Sequence, residues 1–499
     1  MIRTNFRALF LLAVGAIALL AIGACSSGDI SQEDYDSIGA ELAAAKVTSS
    51  EAQNEISSLQ DQIASAAPSI IVQSSAGTPA DSIAAEGWNT DESIAAKVEL
   101  LATFDSNGPD AWDASEHPDV FVTSEGNGYA GFYSEVYSVA GFQIIDAITK
   151  DHVISAGFDL DYENMGTPHG LGVSPDGAWI YVPTSNGKQP WQMNEPDGGR
   201  LLIVNSRTLK LHQVIGTNKG PHHIKAFTDP NGNDRIIVET QGGPTLLLDP
   251  NDDNRVVFQI GPDKLYGQAY QVDADPAGAN LYIDLVLGGR GIAPELQGAV
   301  AKVNIESGRI TYIADVGSYP NGFAFTSDGK FTYVADSSND RVYKINNATN
   351  KSIDSTQAAV PGPYMIELNE DESQLWVIGK GEMTYNLGGS LGLIDLNTFR
   401  AVRDYDIGGQ TIDHNLVNPS VPGELWVTSS GTAEVIVFDM ESRTVKTRIP
   451  DANGGDTHSG AFVHYNPDFS GELRNDNSGA RGVFLAEKIE SVNATVSSK

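Results

Sequence analysis

The stretch that decides the fold is Thr167-Pro-His-Gly-Leu-Gly-Val-Ser-Pro-Asp-Gly-Ala-Trp-Ile-Tyr-Val182. It reads as an apolar strand, a tight Ser-Pro-Asp-Gly turn and a second strand rich in aromatic and β-branched residues. Degenerate copies of this block follow about every 40 to 55 residues along the chain, a period typical of propellers and solenoids. The sequence therefore predicts an all-β repeat domain.

The two ends of the repeat region complement each other. The N-terminal part supplies three strands without an innermost one, at Val120–Ser124, Phe142–Ala147 and His152–Phe158. After the seventh unit, Thr457–Val463 has the pattern of an inner strand that lacks its own unit. Pairing these pieces would close a ring and remove the exposed sheet edges. We therefore predict a seven-bladed β-propeller over residues 118–490, with eight blades or an open solenoid as the alternatives.

The repeated blocks resemble a known repeat family. The best copy is Pro168-His-Gly170, Ser174-Pro-Asp-Gly177 and Tyr181-Val182, and weaker copies are Thr326-Ser-Asp-Gly329 and Leu393-Ile-Asp395. They are similar to the WD40-like YVTN/YncE-like β-propeller repeats, which are related to the cytochrome d1-type and nitrous-oxide-reductase-type propellers. The resemblance implies the propeller fold and leaves the function open, because propellers host many activities.

The single cysteine of the chain, Cys25, lies at the end of an apolar leader. The leader begins with Arg3 and Arg7, continues as Leu9–Ile22 and ends in Leu20-Ala-Ile-Gly-Ala-Cys25. This ending resembles a bacterial lipobox, which implies that residues 1–24 are a removed signal peptide and that Cys25 carries lipid. The protein would then be a lipoprotein of the cell envelope outside the cytoplasm, either periplasmic or at the cell surface. A plain signal peptide or signal anchor is the alternative.

Residues 25–66 are predicted to form a helical spacer after the lipid anchor. Apolar and small residues from Ile38 to Ile63 follow the four-three spacing of a weak coiled-coil seam. Either a homo-oligomeric stalk or a simple helical spacer explains this spacing. Residues 67–117 read as a linker rich in Ala, Ser, Gly and Pro, with a short helix expected at 91–103, and residues 491–499 as a tail.

The charge of the chain restricts its partners. There are 65 acidic and 31 basic residues, which give a formal net charge of −34. This charge excludes nucleic acid as a partner and opposes direct binding to anionic lipid headgroups. No phosphate-binding loop, nucleophile elbow or catalytic triad is recognisable, so the sequence assigns no enzymatic reaction.

Aligning the repeats on their turns yields one residue per blade at the entrance to the inner strand. Because inner strands crowd around a propeller axis, we expect these side chains to converge at one mouth of the channel. Five of the nine histidines of the chain belong to this set. In blade order the set is His458, His169, His223 with His222 before it, Tyr270, Asn321, Tyr364 and His414.

Two functions fit this convergence. In the first, the channel mouth binds a small-molecule ligand or a protein partner through Tyr270, Asn321 and Tyr364. In the second, the five histidines bind copper or iron in a redox protein, or one of them is the axial ligand of a d1-type haem. Asp413 and Asp456 would then orient the imidazoles.

Ordinary structural roles also account for residues of these types. Pro-His-Gly is a common structural start of an inner strand in this kind of repeat, with the imidazole hydrogen-bonded to a backbone carbonyl.

Calcium is the less favoured metal. Its candidate loops, Asp229–Asp234 and Asp249–Asn254, have the composition of hairpin turns.

Overall fold

A computed structural model describes ten stretches of the chain, all within the unit Val72–Lys499. They are residues 98–125, 141–158, 165–166, 170–186, 199–217, 219–265, 267–286, 298–381, 388–453 and 457–477. The predicted signal peptide, Cys25 and the helical spacer lie outside these residues. Within them, no helix is long and apolar enough to cross a membrane.

The strands form seven antiparallel sheets, which are the seven blades of a β-propeller. Blade three contains β10 (Pro221–Thr228), β11 (Asp234–Thr240), β12 (Thr245–Asp249) and β13 (Arg255–Ile260). Blade four contains β14 (Gln268–Ala274), β15 (Asn280–Val286), β16 (Ala299–Asn304) and β17 (Ile310–Ile313). A 3-10 turn, Pro262–Lys264, connects these two blades.

The next three blades repeat the same order of four strands. Blade five contains β18 (Pro320–Phe325), β19 (Phe331–Asp336), β20 (Arg341–Asn346) and β21 (Lys351–Gln357). Blade six contains β22 (Pro363–Leu368), β23 (Gln374–Gly379), β24 (Ser390–Asp395) and β25 (Arg400–Asp406). Blade seven contains β26 (Ile412–Val417), β27 (Glu424–Ser429), β28 (Glu434–Asp439) and β29 (Thr444–Pro450).

Blade one closes the ring with strands from both ends of the domain. Its strands are β2 (Asp119–Glu125), β3 (Gly141–Asp146), β4 (His152–Gly157), β30 (Gly460–Tyr465) and β31 (Gly471–Asn475). The strand β30 pairs with β2, with Val463 opposite Val120, so the predicted closure is confirmed. The strand β31, which the sequence did not predict, pairs with the far side of β30.

Blade two also has an additional strand, at its outer edge. Its strands are β1 (Glu99–Thr103), β5 (Met165–Gly166), β6 (Gly172–Val173), β7 (Trp179–Asn186), β8 (Gly199–Asn205) and β9 (Leu211–Gly216). The strand β1 pairs with β9, so this part of the expected helix 91–103 is a strand instead. The helix prediction was wrong there because pairing with an open sheet edge overrides the local helix pattern.

The burial pattern follows position within each blade. Second strands such as β27 are buried along their whole length, whereas outer strands such as β25 and β29 are mostly exposed or half-buried. Inner and second strands therefore pack on both faces against neighbouring blades. At the closing seam, the ring of Phe121 lies 4.7 Å from that of Phe462 and 5.2 Å from that of Trp426.

Five inner strands contain a β-bulge at the same position. In blade three, His222 and His223 together lie opposite the single residue Glu239, between the pairs of Pro221 with Thr240 and Ile224 with Val238. The equivalent bulge residues are Tyr270 and Gln271, Asn321 and Gly322, Tyr364 and Met365, and Asp413 and His414. Because a bulge changes the direction in which side chains of the strand point, this extra residue decides which side chains face the axis.

Phe462→Ala tests the closing seam. Removing this buried ring leaves a cavity against Phe121 and Trp426, which should destabilise the fold by about 3–5 kcal/mol. Thermal melting and urea unfolding of the full chain measure this loss. Val402→Ala is the control, because Val402 is 49% exposed on an outer strand. Equal melting temperatures for the two variants would contradict the packing described for the seam.

Candidate metal centre

Three histidines from three blades meet inside the propeller. His223 lies in β10, His414 in β26, and His458 just before β30, and all three are almost completely buried. One ring nitrogen from each lies within 4.8 Å of those of the other two. Their ring centroids are 5.2 to 5.8 Å apart. We call these three residues the histidine cluster.

His223 is held by side chains from blades four and six. Its Nε2 lies 2.9 Å from Nε2 of Gln271 and 3.3 Å from the hydroxyl oxygen of Tyr364. Burial lowers the pKa of His223 well below its ordinary value, and the neighbouring imidazoles lower it further. The ring is therefore neutral, the form in which imidazole binds metal ions.

The two ring nitrogens of His414 differ in their hydrogen bonding. Its Nδ1 lies 3.0 Å from Oδ1 of Asn477. Its Nε2 is buried and has no hydrogen-bond partner among the described residues. Burial lowers the pKa of His414 well below its ordinary value, with a further contribution from His458. A buried acceptor nitrogen without a partner is costly unless a ligand uses it.

His458 is oriented by a carboxylate. Its Nδ1 lies 3.2 Å from Oδ1 of Asp413, and the same oxygen lies 2.9 Å from Nζ of Lys380. Burial alone would raise the pKa of Asp413, but His458 and Lys380 outweigh it and hold that pKa well below its ordinary value. The hydroxyl of Ser430 donates to the other carboxylate oxygen at 2.6 Å. Asp413 is thus an ionised partner of His458.

Tyr364 and Lys380 lie against the same cluster. The Lys380 ammonium sits 4.1 Å from the centre of the Tyr364 ring, a cation–π contact that desolvation strengthens. The Tyr364 ring is 6.1 Å from the ring of His414 and 6.3 Å from that of His458. The sequence identified Tyr364 as a channel residue but did not identify Lys380.

The other predicted site residues lie beside the histidine cluster or outside the described residues. His222 points away from it, with Nδ1 3.0 Å from Oε2 of Glu239. The Tyr270 ring packs 5.1 Å from that of His222. Asn321 donates to Oγ of Ser337 within blade five. His169 and Asp456 belong to the stretches that the structure does not describe.

Turns of unequal length explain where the repeat alignment slipped. The alignment placed Tyr270 and Tyr364 level with His223, whereas the bulge positions equivalent to His223 are Gln271 and Met365. Nε2 of Gln271 contacts both His223 and, at 3.3 Å, the sulfur of Met365. The paired residues Ile224 and Val238 of blade three are 14 positions apart, against 11 for the equivalent pair in blade four, so an alignment on turns is off by one in the inner strand.

The glycine of the Pro-His-Gly motif has a packing role. Gly170 forms a parallel bridge with His223 of the next blade. A Cβ atom at Gly170 would lie 2.1 Å from the carbonyl oxygen of His222, so only glycine fits there. Part of the motif therefore serves to bring the inner strands of blades two and three together.

The histidine cluster fits a metal ion with small adjustments. The centre of a triangle with 4.8 Å sides lies about 2.8 Å from each nitrogen, against about 2.0–2.1 Å for imidazole ligands, so each ring would move inward by about 0.7 Å. His414 and His458 also have an oxygen acceptor on one nitrogen, Oδ1 of Asn477 and Oδ1 of Asp413, whereas Gln271 presents a donating NH2 group to Nε2 of His223. Ligating histidines typically have such a partner on the nitrogen that does not bind the metal.

Comparison with known proteins supports the fold. No protein-family model and no curated protein sequence matches this chain. A solved structure from Lactobacillus plantarum has a TM-score of 0.50 at 13% identity and covers 69% of this chain and 99% of its own. A 6-phosphogluconolactonase-like protein of Bacteroides fragilis has a TM-score of 0.49 at 15% identity, covering 69% and 98%. Dihydro-haem d1 dehydrogenase has a TM-score of 0.48 at 14% identity, covering 77% and 76%.

The Lactobacillus plantarum structure supports the fold, and at 13% identity it shows nothing of the activity. Membership of the YVTN/YncE-like family therefore stays a prediction from the repeated blocks.

Glu367, next to the histidine cluster, generates a prediction about pH. Burial raises its pKa from 4.5 to about 7, although Asn475 and Asn477 donate to its carboxylate at 2.9 and 3.2 Å. Between these two pH values the native state binds more protons than the unfolded chain. Stability should therefore fall by roughly 3 kcal/mol as the pH rises from 4.5 to 7 and beyond.

Glu367→Gln should lack this contribution. Urea unfolding gives the free energy of unfolding of wild type and variant at pH 5 and at pH 8. The contribution of Glu367 is the change, between these two pH values, in the difference between the two free energies. Other titrating groups contribute to both proteins and cancel. Parallel pH dependences for the two proteins would contradict a raised pKa at Glu367.

Proposed function

We propose that this protein is a lipid-anchored, extracytoplasmic β-propeller that binds a transition-metal ion on its axis. The ligands are His223, His414 and His458, and the observation that carries the proposal is their convergence within 4.8 Å in a buried site. The predicted ligand-binding mouth and the predicted metal site are then one place. An ion bound there supplies a Lewis-acid or redox centre, and the protein supplies its fixed, neutral ligands.

The donor atoms favour copper, iron, zinc or nickel over calcium. Neutral imidazole suits copper, iron, zinc and nickel, whereas calcium requires oxygen ligands. The loop at Asp229 supports the turn interpretation, because its Oδ1 accepts hydrogen bonds from the backbone N–H groups of Asn231 and Asn233, both at 2.9 Å. Arg235 also pairs with that carboxylate at 3.2 Å, which opposes a cation there.

The spacing of the rings favours an ion over a haem. With centroids only 5.2 to 5.8 Å apart, each imidazole of the cluster is flanked by the other two. A macrocycle placed on one of these nitrogens would have to displace the other two rings. A single ion requires only the small inward movement described above.

Metal analysis tests the proposal. We expect about one copper, iron or zinc ion per chain by elemental analysis after loading, and loss of that ion in His414→Gln. Asp413→Asn should weaken binding about 10- to 100-fold, because it removes the carboxylate partner of His458.

The matched control is His464→Gln. His464 has Nδ1 3.0 Å from Oδ1 of Asp119, so it is a histidine–aspartate pair outside the cluster. Circular dichroism confirms that each variant is folded. A wild-type chain that takes up no metal, or equal metal loss in His464→Gln, would show the proposal to be wrong.

The lipid anchor is part of the proposal and rests on the ending Leu20-Ala-Ile-Gly-Ala-Cys25. Cys25→Ser should move the chain from the membrane fraction to the soluble fraction and abolish incorporation of a labelled fatty acid. Membrane retention by the variant would favour a signal anchor.

A further inference from the structure

The segment Gly471–Asn477 lies across the axis of the propeller. It begins as β31 on the innermost edge of blade one. Leu473 donates its backbone N–H to the Pro175 carbonyl of blade two, and Lys225 of blade three donates to the Asp476 carbonyl. Asn475 donates to the Val417 carbonyl of blade seven. This segment, which we call the axial segment, thus contacts several blades as well as the histidine cluster.

The orientation of the Asn477 carboxamide is fixed by its surroundings. Its Nδ2 faces the Ile366 carbonyl oxygen, which can only accept, at 3.4 Å, and an oxygen of the Glu367 carboxyl at 3.2 Å. Its Oδ1 therefore faces His414, 3.0 Å from Nδ1. The opposite orientation of the amide would place its oxygen against the Ile366 carbonyl oxygen and its NH2 group against the ring.

This orientation determines the tautomer of His414. An oxygen atom accepts hydrogen bonds only, so Nδ1 of His414 carries the proton and donates it to Asn477. The lone pair is then on Nε2, the buried nitrogen without a partner among the described residues. In the other tautomer, Nε2 would carry a hydrogen atom and would be unable to bind a metal ion.

The backbone of Asn477 supports a specific role for this residue. Its φ angle is +69°, in the left-handed region that asparagine tolerates better than most residues and glycine adopts without strain. The axial segment thus turns sharply at the point where its side chain reaches the histidine. The Asn475 Oδ1 accepts the Asn477 N–H at 2.9 Å and supports this turn.

We infer that Asn477 is a positioning residue that selects the metal-binding tautomer of His414, so that the axial segment completes the metal site. The inference rests on the proposed function and extends it to a strand that supplies none of the three ligands. Metal binding and docking of the axial segment are then coupled, because the ion binds only the tautomer that the docked segment stabilises.

Two variants of the full chain separate this role from simple docking. Asn477→Gly removes the carboxamide and keeps a residue suited to the positive φ angle. Asn475→Ala removes the hydrogen bonds of its side chain to Glu367, to the Val417 carbonyl and to the Asn477 N–H, but none to a histidine. The zinc affinity of each is measured by competition with a chelating dye, and the tautomer of His414 by the 15N shifts of its ring in metal-free protein.

We expect Asn477→Gly to weaken zinc binding about 10- to 100-fold and to give His414 a mixture of tautomers. We expect Asn475→Ala to keep the wild-type tautomer and most of the affinity. An unchanged tautomer in Asn477→Gly, or equal zinc loss in both variants, overturns the inference. Absence of zinc binding by the wild type overturns the proposed function and the coupling, while the tautomer measurement still decides the role of Asn477.

Discussion

Pairing of β2 with β30 is the constraint on which the rest of the structure depends. These strands come from opposite ends of the domain, with Thr123 opposite Gly460 and Asp119 opposite His464. The pairing closes the ring, removes two sheet edges and brings blades one and seven side by side. His458 precedes β30 and depends on this closure to reach His414, with the two ring centroids 5.2 Å apart. Formation of the histidine cluster is therefore linked to formation of the whole propeller.

The electrostatics of the interior keep the histidines in the form that binds a metal ion. Burial keeps His223 and His414 neutral, and the Asp413 carboxylate, which contacts the histidine cluster, is ionised and shared between His458 and Lys380. Such a buried ion pair stabilises little by itself, because desolvation opposes the attraction between its members. Its evident consequence is to fix the orientation of one imidazole.

Much of the fold was predictable from the sequence, because alternation and turn residues mark each strand. Strands such as β3 and β4 were predicted to within a residue or two, since each is a short run of mostly apolar and β-branched residues bounded by turn residues. The convergence of His223, His414 and His458 was also predictable from their equivalent places in the repeat. The equivalence of Gln271 with His223 was not predictable, because the turn after the inner strand is longer in blade three than in blade four, and aligning the turns matched Tyr270 instead.

The axial segment was not predictable for a different reason. Gly471–Asn477 is polar and has no strand-like alternation, and beyond its pairing with β30 its structure comes from contacts with blades distant in sequence.

X-ray absorption of the copper- or zinc-loaded protein tests the central claim most directly. The account predicts three nitrogen neighbours at about 2.0–2.1 Å, with the outer-shell scattering typical of imidazole rings. A first shell of oxygen atoms alone, or one without imidazole scattering, would contradict a metal site built from His223, His414 and His458.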